Sequence, residues 1–504
     1  MSKLLQDNKF EVLGESDYVF GHSQGAGKFG FFPASLLRGD TYACRRWNLN
    51  HSSAVGEPVG DVSYIRYLPS LLGLGGYLVD DAHNRKKLDP QTHNRFADGT
   101  TAYLDGSMGQ YQAGWGTNFY IALWREGNYE YEAAGLKPIP GRLNYRIPIA
   151  SKSALNAGVM DRESDILCSV VSSEERYRGG NGSAIDSGTA SAAIKSQLGY
   201  AATNMAITSF EAKAAKRGTG WGAGWQWIDT VFMILFHIIM GTRDVQATKN
   251  ANKDANGLFQ GGLGSGVTNM SDWEAFNRYY PIIPTNVGID FGDGVGSVTH
   301  NVLKSDGTVH YAAPVPVWFG LKNMFGHLYV GRNRIVAVKQ ADASYKFYVA
   351  KSSLTPWNYQ DTANMLEVGS LAAAEAAGWE FIREINYTGL AGVPSVLGAT
   401  GSTYYCDGAY RDIATSGFRA VLGSGNANNG DNAGLAYFNG NNAPSNANAN
   451  LSSPHYFGNL ECLRQALFGC KTSALAEKYT VKQVLVGPSG FDGACEKRSR
   501  QKTR

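Results

Sequence analysis

The feature that most limits what this chain can fold into is one apolar run, Trp227–Met240, WIDTVFMILFHIIM. Wound as a helix, it spans roughly 21 Å, short of the roughly 30 Å hydrocarbon core of a bilayer. Asp229 and His237 interrupt it. The run therefore predicts a helix over 224–240 that is apolar on every side, buried in a protein core and not inserted in a membrane. Such a helix needs other layers packed around it. The Gly- and Trp-rich approach over 218–225 would let it sit close to neighbouring backbone.

The layers have to come from short strands. Gly accounts for 61 of 504 residues, well above the usual share of about 7%, and Tyr, Phe and Trp add aromatic mass. Turn signals recur at Asp98-Gly99-Thr100 and Asp105-Gly106-Ser107. Asn118–Trp124 reads as a buried strand, and Arg334–Lys339 and Tyr345–Val349 read as alternating strands. Further helices are expected over Ser187–Met205, after Asp186 and Ser187 as caps, and over Ser370–Gly378, SLAAAEAAG, ending on glycine. The sum is an α+β reading with much irregular structure and no solenoid repeat. At 43% hydrophobic and 18% charged residues, the composition is not that of a disordered chain.

Three segments follow. Residues 1–40 carry short strands at Phe10–Leu13, Asp17–Phe20 and Lys28–Pro33, too little to bury a core alone, so they read as a docking or oligomerisation segment. Residues 41–458 form the main domain. Residues 459–504 are a C-terminal extension whose end, Lys497–Arg504, is basic and reads as a solvated terminus. A net charge of +3 gives no electrostatic case for nucleic acid as a partner. Cys44, Cys168, Cys406, Cys462, Cys470 and Cys495 show neither CxxC nor zinc spacing. That usage agrees with assembly in a reducing cytoplasm, and Met1–Lys9 lacks the apolar core of a signal peptide.

The motifs that suggest catalysis are weak. Gly21-His22-Ser23-Gln24-Gly25 fits a nucleophile elbow, but the elbow needs a helix after the serine. Ala26–Pro33 is not one, so a Gly-rich hairpin is expected. Gly clusters at 218–224, 261–266 and 292–296 lack the Lys-Ser/Thr of a phosphate loop. The nine histidines form no HExxH. Asp290 and Asp293 do not make an EF-hand loop, which leaves a structural calcium open and no cofactor expected.

The segment 423–450, GSGNANNGDNAGLAYFNGNNAPSNANAN, is the most unusual. Ten of its 28 positions are Asn: Asn426, Asn428, Asn429, Asn432, Asn439, Asn441, Asn442, Asn446, Asn448 and Asn450. An apolar stretch, Ala433–Phe438, interrupts it and reads as a buried strand with Tyr437 or Phe438 inward. The Asn-Ala alternation over 446–451 would set one row inward and the Asn row outward. An outward row of amides offers donors and acceptors without charge, which suits ligand contact.

Ser402–Asp407 (STYYCD), Gly417–Gly423 (GFRAVLG) and this block together resemble the C-terminal variable region of proteins targeted by diversity-generating retroelements. Val317–Leu328, VWFGLKNMFGHL, looks like that family's core segment, and the likeness runs from about 41 to 451. It implies a C-type-lectin-like fold of the formylglycine-generating-enzyme type, with 417–451 as the variable region. Adenine-directed mutagenesis favours Asn codons, so the ten Asn residues would be the ligand-binding, diversifiable positions. The family's closing Ile-Gly-x-Arg strand is replaced by Leu451–Gly458, LSSPHYFG, and Pro454 predicts that this strand is missing or at an edge.

The resemblance implies a bacteriophage virion adhesin, a tail or head fibre that binds a host cell-surface receptor, glycan or protein. It would join other virion proteins through the N-terminal segment and form a homo-oligomer, expected to be a trimer. A structural capsid-decoration protein is the alternative. A hydrolase or oxygen-dependent enzyme is a second, disfavoured because Cys462 and Cys470 lie outside an Arg-rich motif and no three-His cluster stands out; the chain is expected not to be an enzyme.

Overall fold

The computed structural model describes residues 18–23, 28–33, 42–184, 195–249, 283–303, 306–351, 358–414, 416–427 and 429–458. The architecture is α+β, with several largely antiparallel sheets gathered about one buried helix. That helix is Gln226–Met240, buried at every residue from Gln226 to Ile238 and closed by Gly241 in the left-handed conformation. Packed against it are the Val62–Leu72 helix and strands from three sheets. Its aromatic residues interlock with theirs: Phe232 lies 5.4 Å from Trp115, and Phe236 lies 5.6 Å from Trp318.

A five-stranded sheet runs in the order Asn144–Ile147, Phe119–Glu126, Tyr129–Gly135, Ala43–Asn48, Glu57–Pro58. A six-stranded sheet runs Trp221–Ala223, His455–Gly458, Ala150–Ser153, Gln110–Trp115, Gly75–Val79, Arg85–Lys87. The largest has nine strands. Eight follow the order Met365–Leu371, Tyr345–Ala350, Tyr329–Lys339, Gly417–Gly423, Phe438–Asn439, Gly408–Arg411, Gly378–Asn386, Val393–Ala399, and Leu451–Ser452 adds in parallel beside Tyr329–Lys339.

The polar residues inside the apolar helix are paired. Asp229 accepts from Lys152 Nζ at 2.7 Å and from the Tyr456 hydroxyl at 2.6 Å. His237 Nδ1 lies 3.0 Å from Glu132, whose carboxylate also accepts from Arg243 at 2.8 Å. Buried charges are tolerable only with such partners.

Several expectations change. Residues 197–205 are not helical, and the helix begins at Ile207 and runs to Ala215. Residues 185–194 lie outside the described residues. Ser370–Gly378 is not a helix: Ser370 and Leu371 end one strand and Gly378 starts another. Six residues cannot nucleate a helix against strand pairing on both sides, and the carbonyls of Ala372 and Ala373 accept from Arg411 instead. The closing strand is neither missing nor at an edge. Pro454 sits in the gap between Leu451–Ser452 and His455–Gly458, and the latter lies between two partners. Among the described residues no helix is long and apolar enough to cross a membrane.

Ser23 ends the Tyr18–Ser23 strand, which pairs antiparallel with Lys28–Pro33; the next described element is a strand, not the helix of an elbow. The Gly261–Gly266 cluster, Phe10–Leu13, Cys462, Cys470, Cys495 and all of 459–504 lie outside the described residues. Asp293 is committed to Lys87 (2.8 Å) and His93 (2.9 Å). Among the described residues no three His, Cys, Asp or Glu gather to hold a metal.

Candidate functional site

The Asn-rich segment leaves the Gly417–Gly423 strand and returns to the nine-stranded sheet twice, through Phe438–Asn439 and Leu451–Ser452. In between it forms turns held by its own amides. Asn429 Oδ1 accepts the Asn426 backbone N–H at 2.8 Å, and Asn439 Oδ1 accepts that of Asn441 at 2.8 Å. Short Asx side chains stabilise turns in this way, supplying partners that irregular backbone lacks.

The expected outward row of Asn is therefore only partly present. Asn426, Asn429, Asn439 and Asn450 are buried. Asn429 and Asn439 spend their amides on loop geometry, while Asn426 and Asn450 are tied in through backbone: Asn426 bridges to His327, and the Asn450 carbonyl accepts from Tyr329 N at 2.8 Å. Asn432, Asn442 and Asn448 are half-buried, and Asn441 and Asn446 are exposed. Asn428 lies outside the described residues. Residues 446–448 are irregular and 449–450 form a turn, not a strand, so strict alternation does not apply. Ala433–Phe438 is buried as expected but is mostly bends, with strand only at Phe438–Asn439. Tyr437 and Phe438 both point inward, Phe438 meeting Phe347 edge-on at 5.4 Å.

The sheet brings aromatic residues from distant sequence beside these amides. Trp379 is opposite Tyr410, and Tyr410 is opposite Asn439. The Trp379 ring, 37% exposed, lies 5.2 Å from Tyr410 and 5.4 Å from Tyr437. Tyr437 and Tyr329 share a hydroxyl contact at 3.3 Å. Burial pushes the Tyr329 hydroxyl up, against the hydrogen bonds of Tyr437, Asn429 and Asn439, which lower it. Burial likewise holds Tyr437 well above the phenol range. Both hydroxyls stay protonated near neutrality and act as hydrogen-bonding groups, not as bases. The arrangement offers π faces and uncharged amides, the chemistry of contact and recognition. Trp379, Tyr410 and Tyr329 have no local sequence signal, because strand register alone brings them here.

Under this shelf Asp407 fixes the Gly434–Tyr437 turn by accepting the Ala436 N–H at 2.7 Å. Burial drives its carboxyl well above the usual range, with Asp244 adding to the rise and Arg332 opposing it. A carboxyl raised in the fold costs stability as pH climbs past its unfolded value of about 3.9. Asp407→Asn keeps an acceptor for Ala436 and removes that cost. It should raise stability by about 1 kcal/mol at pH 7, and denaturant melts should show the gain vanishing below about pH 4.

No protein-family model matches the chain, and no curated protein matches it.

Proposed function

We propose that the chain is a receptor-binding protein of a bacteriophage virion, carrying a variable face on a C-type-lectin-like fold. The single observation behind this reading is the shelf where exposed Trp379 and half-buried Tyr410 adjoin the Asn-rich turns. The resemblance of 402–423 and 317–328 to retroelement-diversified proteins supports it. So does the division of labour among the Asn residues. Buried Asn429 and Asn439 hold the turns, while Asn441 and Asn446, with half-buried Asn432, Asn442 and Asn448, have side-chain surface to vary. A rigid sheet with changeable surface positions is what a diversified binding face requires. The working form would be a homotrimer, in which weak single contacts gain avidity.

The test is a triple variant, Trp379→Ala with Asn441→Ala and Asn446→Ala, built into the virion. Adsorption to host cells should fall by about tenfold or more, with the purified protein still folded at the assay temperature and its melting lowered only by the lost Trp379 contacts with Tyr410 and Tyr437. Unaltered adsorption would remove the receptor-face reading.

A further inference from the structure

The six-stranded sheet has one face toward the buried helix and one away from it. Lys152 and Tyr456 mark the helix side by bonding Asp229. Register and alternation place Gln112, Ser151, Ser153, His455, Phe457 and Trp221 on the far side. Gln112 and His455 are completely buried there. Neither amide atom of Gln112 and neither ring nitrogen of His455 has a hydrogen-bond partner among the described residues. The same is true of Trp221 Nε1 and of Nε in Arg85 and Arg217. Buried polar groups are normally satisfied, and each exception forfeits the hydration it gave up.

His455, Trp221, Arg217 and Arg85 are linked through ring contacts, and Gln112 lies on the same face opposite Ser153. His455 and Trp221 stack with ring centroids 4.4 Å apart and planes 5° from parallel. Phe457 packs 4.9 Å from Trp221. The Arg217 guanidinium is 5.9 Å from the Trp221 ring, and that of Arg85 is 6.0 Å from the Phe457 ring. Arg85 reaches across the sheet to the Ser151 hydroxyl at 3.0 Å. Arg85, Arg217 and Phe457 are partly exposed and form the rim, while Gln112, His455 and Trp221 lie within.

The unpartnered atoms are mostly donors: an indole N–H, two guanidinium Nε–H groups, an amide NH2 and one imidazole N–H. Only Gln112 Oε1 and the second imidazole nitrogen accept. Charge points the same way at Arg85, though not at Arg217. Arg217 has Asp81 at 2.7 Å. Arg85 bonds the Ser151 hydroxyl and the Trp115 carbonyl, and among the described residues no carboxylate pairs with it. We infer that this face binds a small oxyanion of the carboxylate, phosphate or sulfate class, held by Arg85 and Arg217 at the rim and by Gln112, Trp221 and His455 inside. The site is independent of the receptor-binding reading.

The full chain should be melted in graded phosphate, sulfate and acetate against chloride at equal ionic strength, with calorimetric titration of whichever oxyanion acts. At least one oxyanion should raise the melting temperature saturably where chloride does not. His455→Phe, which keeps the stack, and Gln112→Leu should each weaken binding by about tenfold or more. No saturable shift with any of the three, or the same affinity in both variants, overturns the inference. Stability order supplies a second reading that does not depend on either variant's affinity. In saturating oxyanion the wild type should melt above Gln112→Leu; the reverse order would mean the amide is only an unsatisfied burden. A high-resolution structure grown in that oxyanion with water alone beside Gln112 and His455 also overturns it.

Discussion

Replacing Arg243 with Met is expected to cost about 3–5 kcal/mol, the penalty for stranding a buried partner charge. Arg243 Nη2 donates to Glu130 at 2.7 Å and to Glu132 at 2.8 Å, and the guanidinium lies over the rings of Trp47 and Tyr405 at 4.2 and 4.3 Å. Glu132 is fully buried, and its remaining partners are His237 and the Tyr387 hydroxyl. Burial pushes the Glu132 carboxyl up, but His237 and Arg243 outweigh it and hold the group below its ordinary value. Its stabilising share is therefore in place above about pH 4.3 and is lost as pH falls through the lowered folded value. Without Arg243 the burial effect dominates, and the variant fold prefers a protonated Glu132. The gap between wild type and Arg243→Met, read from denaturant midpoints, should be widest near pH 7 and narrow toward pH 4. Adding Glu132→Gln should recover part of the loss, because the stranded charge is then gone. A gap that is the same at both pH values would place the cost in lost ring packing instead.

The helix at the centre of this network was legible because 14 consecutive, largely apolar residues leave few alternatives. The partners of its polar residues were not. Lys152 is 77 positions from Asp229, and Glu132 is 105 from His237, so no periodicity links them. The strand at Phe119–Glu126 was legible as an apolar run, and those at Tyr329–Lys339 and Tyr345–Ala350 where apolar residues alternate. The alanine-rich stretch after Ser370 misled because intrinsic propensity yields when strand pairing claims both ends.

The Asn-rich segment misled more usefully. Its composition argued for surface, yet Asn serves two ends. At Asn429 and Asn439 the amide substitutes for missing backbone partners and is buried with the turn it makes. At Asn441 and Asn446 it faces solvent. Composition cannot separate these roles, because the choice depends on whether a neighbouring N–H needs an acceptor. The aromatic half of the shelf could not be read from sequence at all, since Trp379 meets Tyr410 only after two strands find their register.

Gly224→Ala should be the most damaging of the glycine substitutions that probe this assembly, at about 3 kcal/mol or more from left-handed strain and overpacking together. Gly224 has φ +60°, and an added Cβ would lie 2.0 Å from the Gly331 carbonyl oxygen and 2.6 Å from Ser453 Oγ. The first obstacle is backbone and cannot swing aside. Gly224 is also where the two large sheets meet at the start of the buried helix. Its N–H donates to the Pro454 carbonyl at 3.0 Å, its carbonyl accepts from Asn333 N at 2.6 Å, and Asn333 Nδ2 donates to the Ala223 carbonyl at 2.7 Å. Relieving the clash means prising the Tyr329–Lys339 strand from the strand–helix junction, and the hydrogen bonds on both sides of it would go together. Gly127 is the control. It has φ +57° but nothing within 4 Å of an added Cβ, so Gly127→Ala should show strain alone, about 1–2 kcal/mol. Melting the two variants side by side separates the terms. Equal losses would mean that the junction yields and that Gly224 matters only for its backbone angle. A loss at Gly224 larger by about 2 kcal/mol would show that close approach of the two sheets is what requires glycine there.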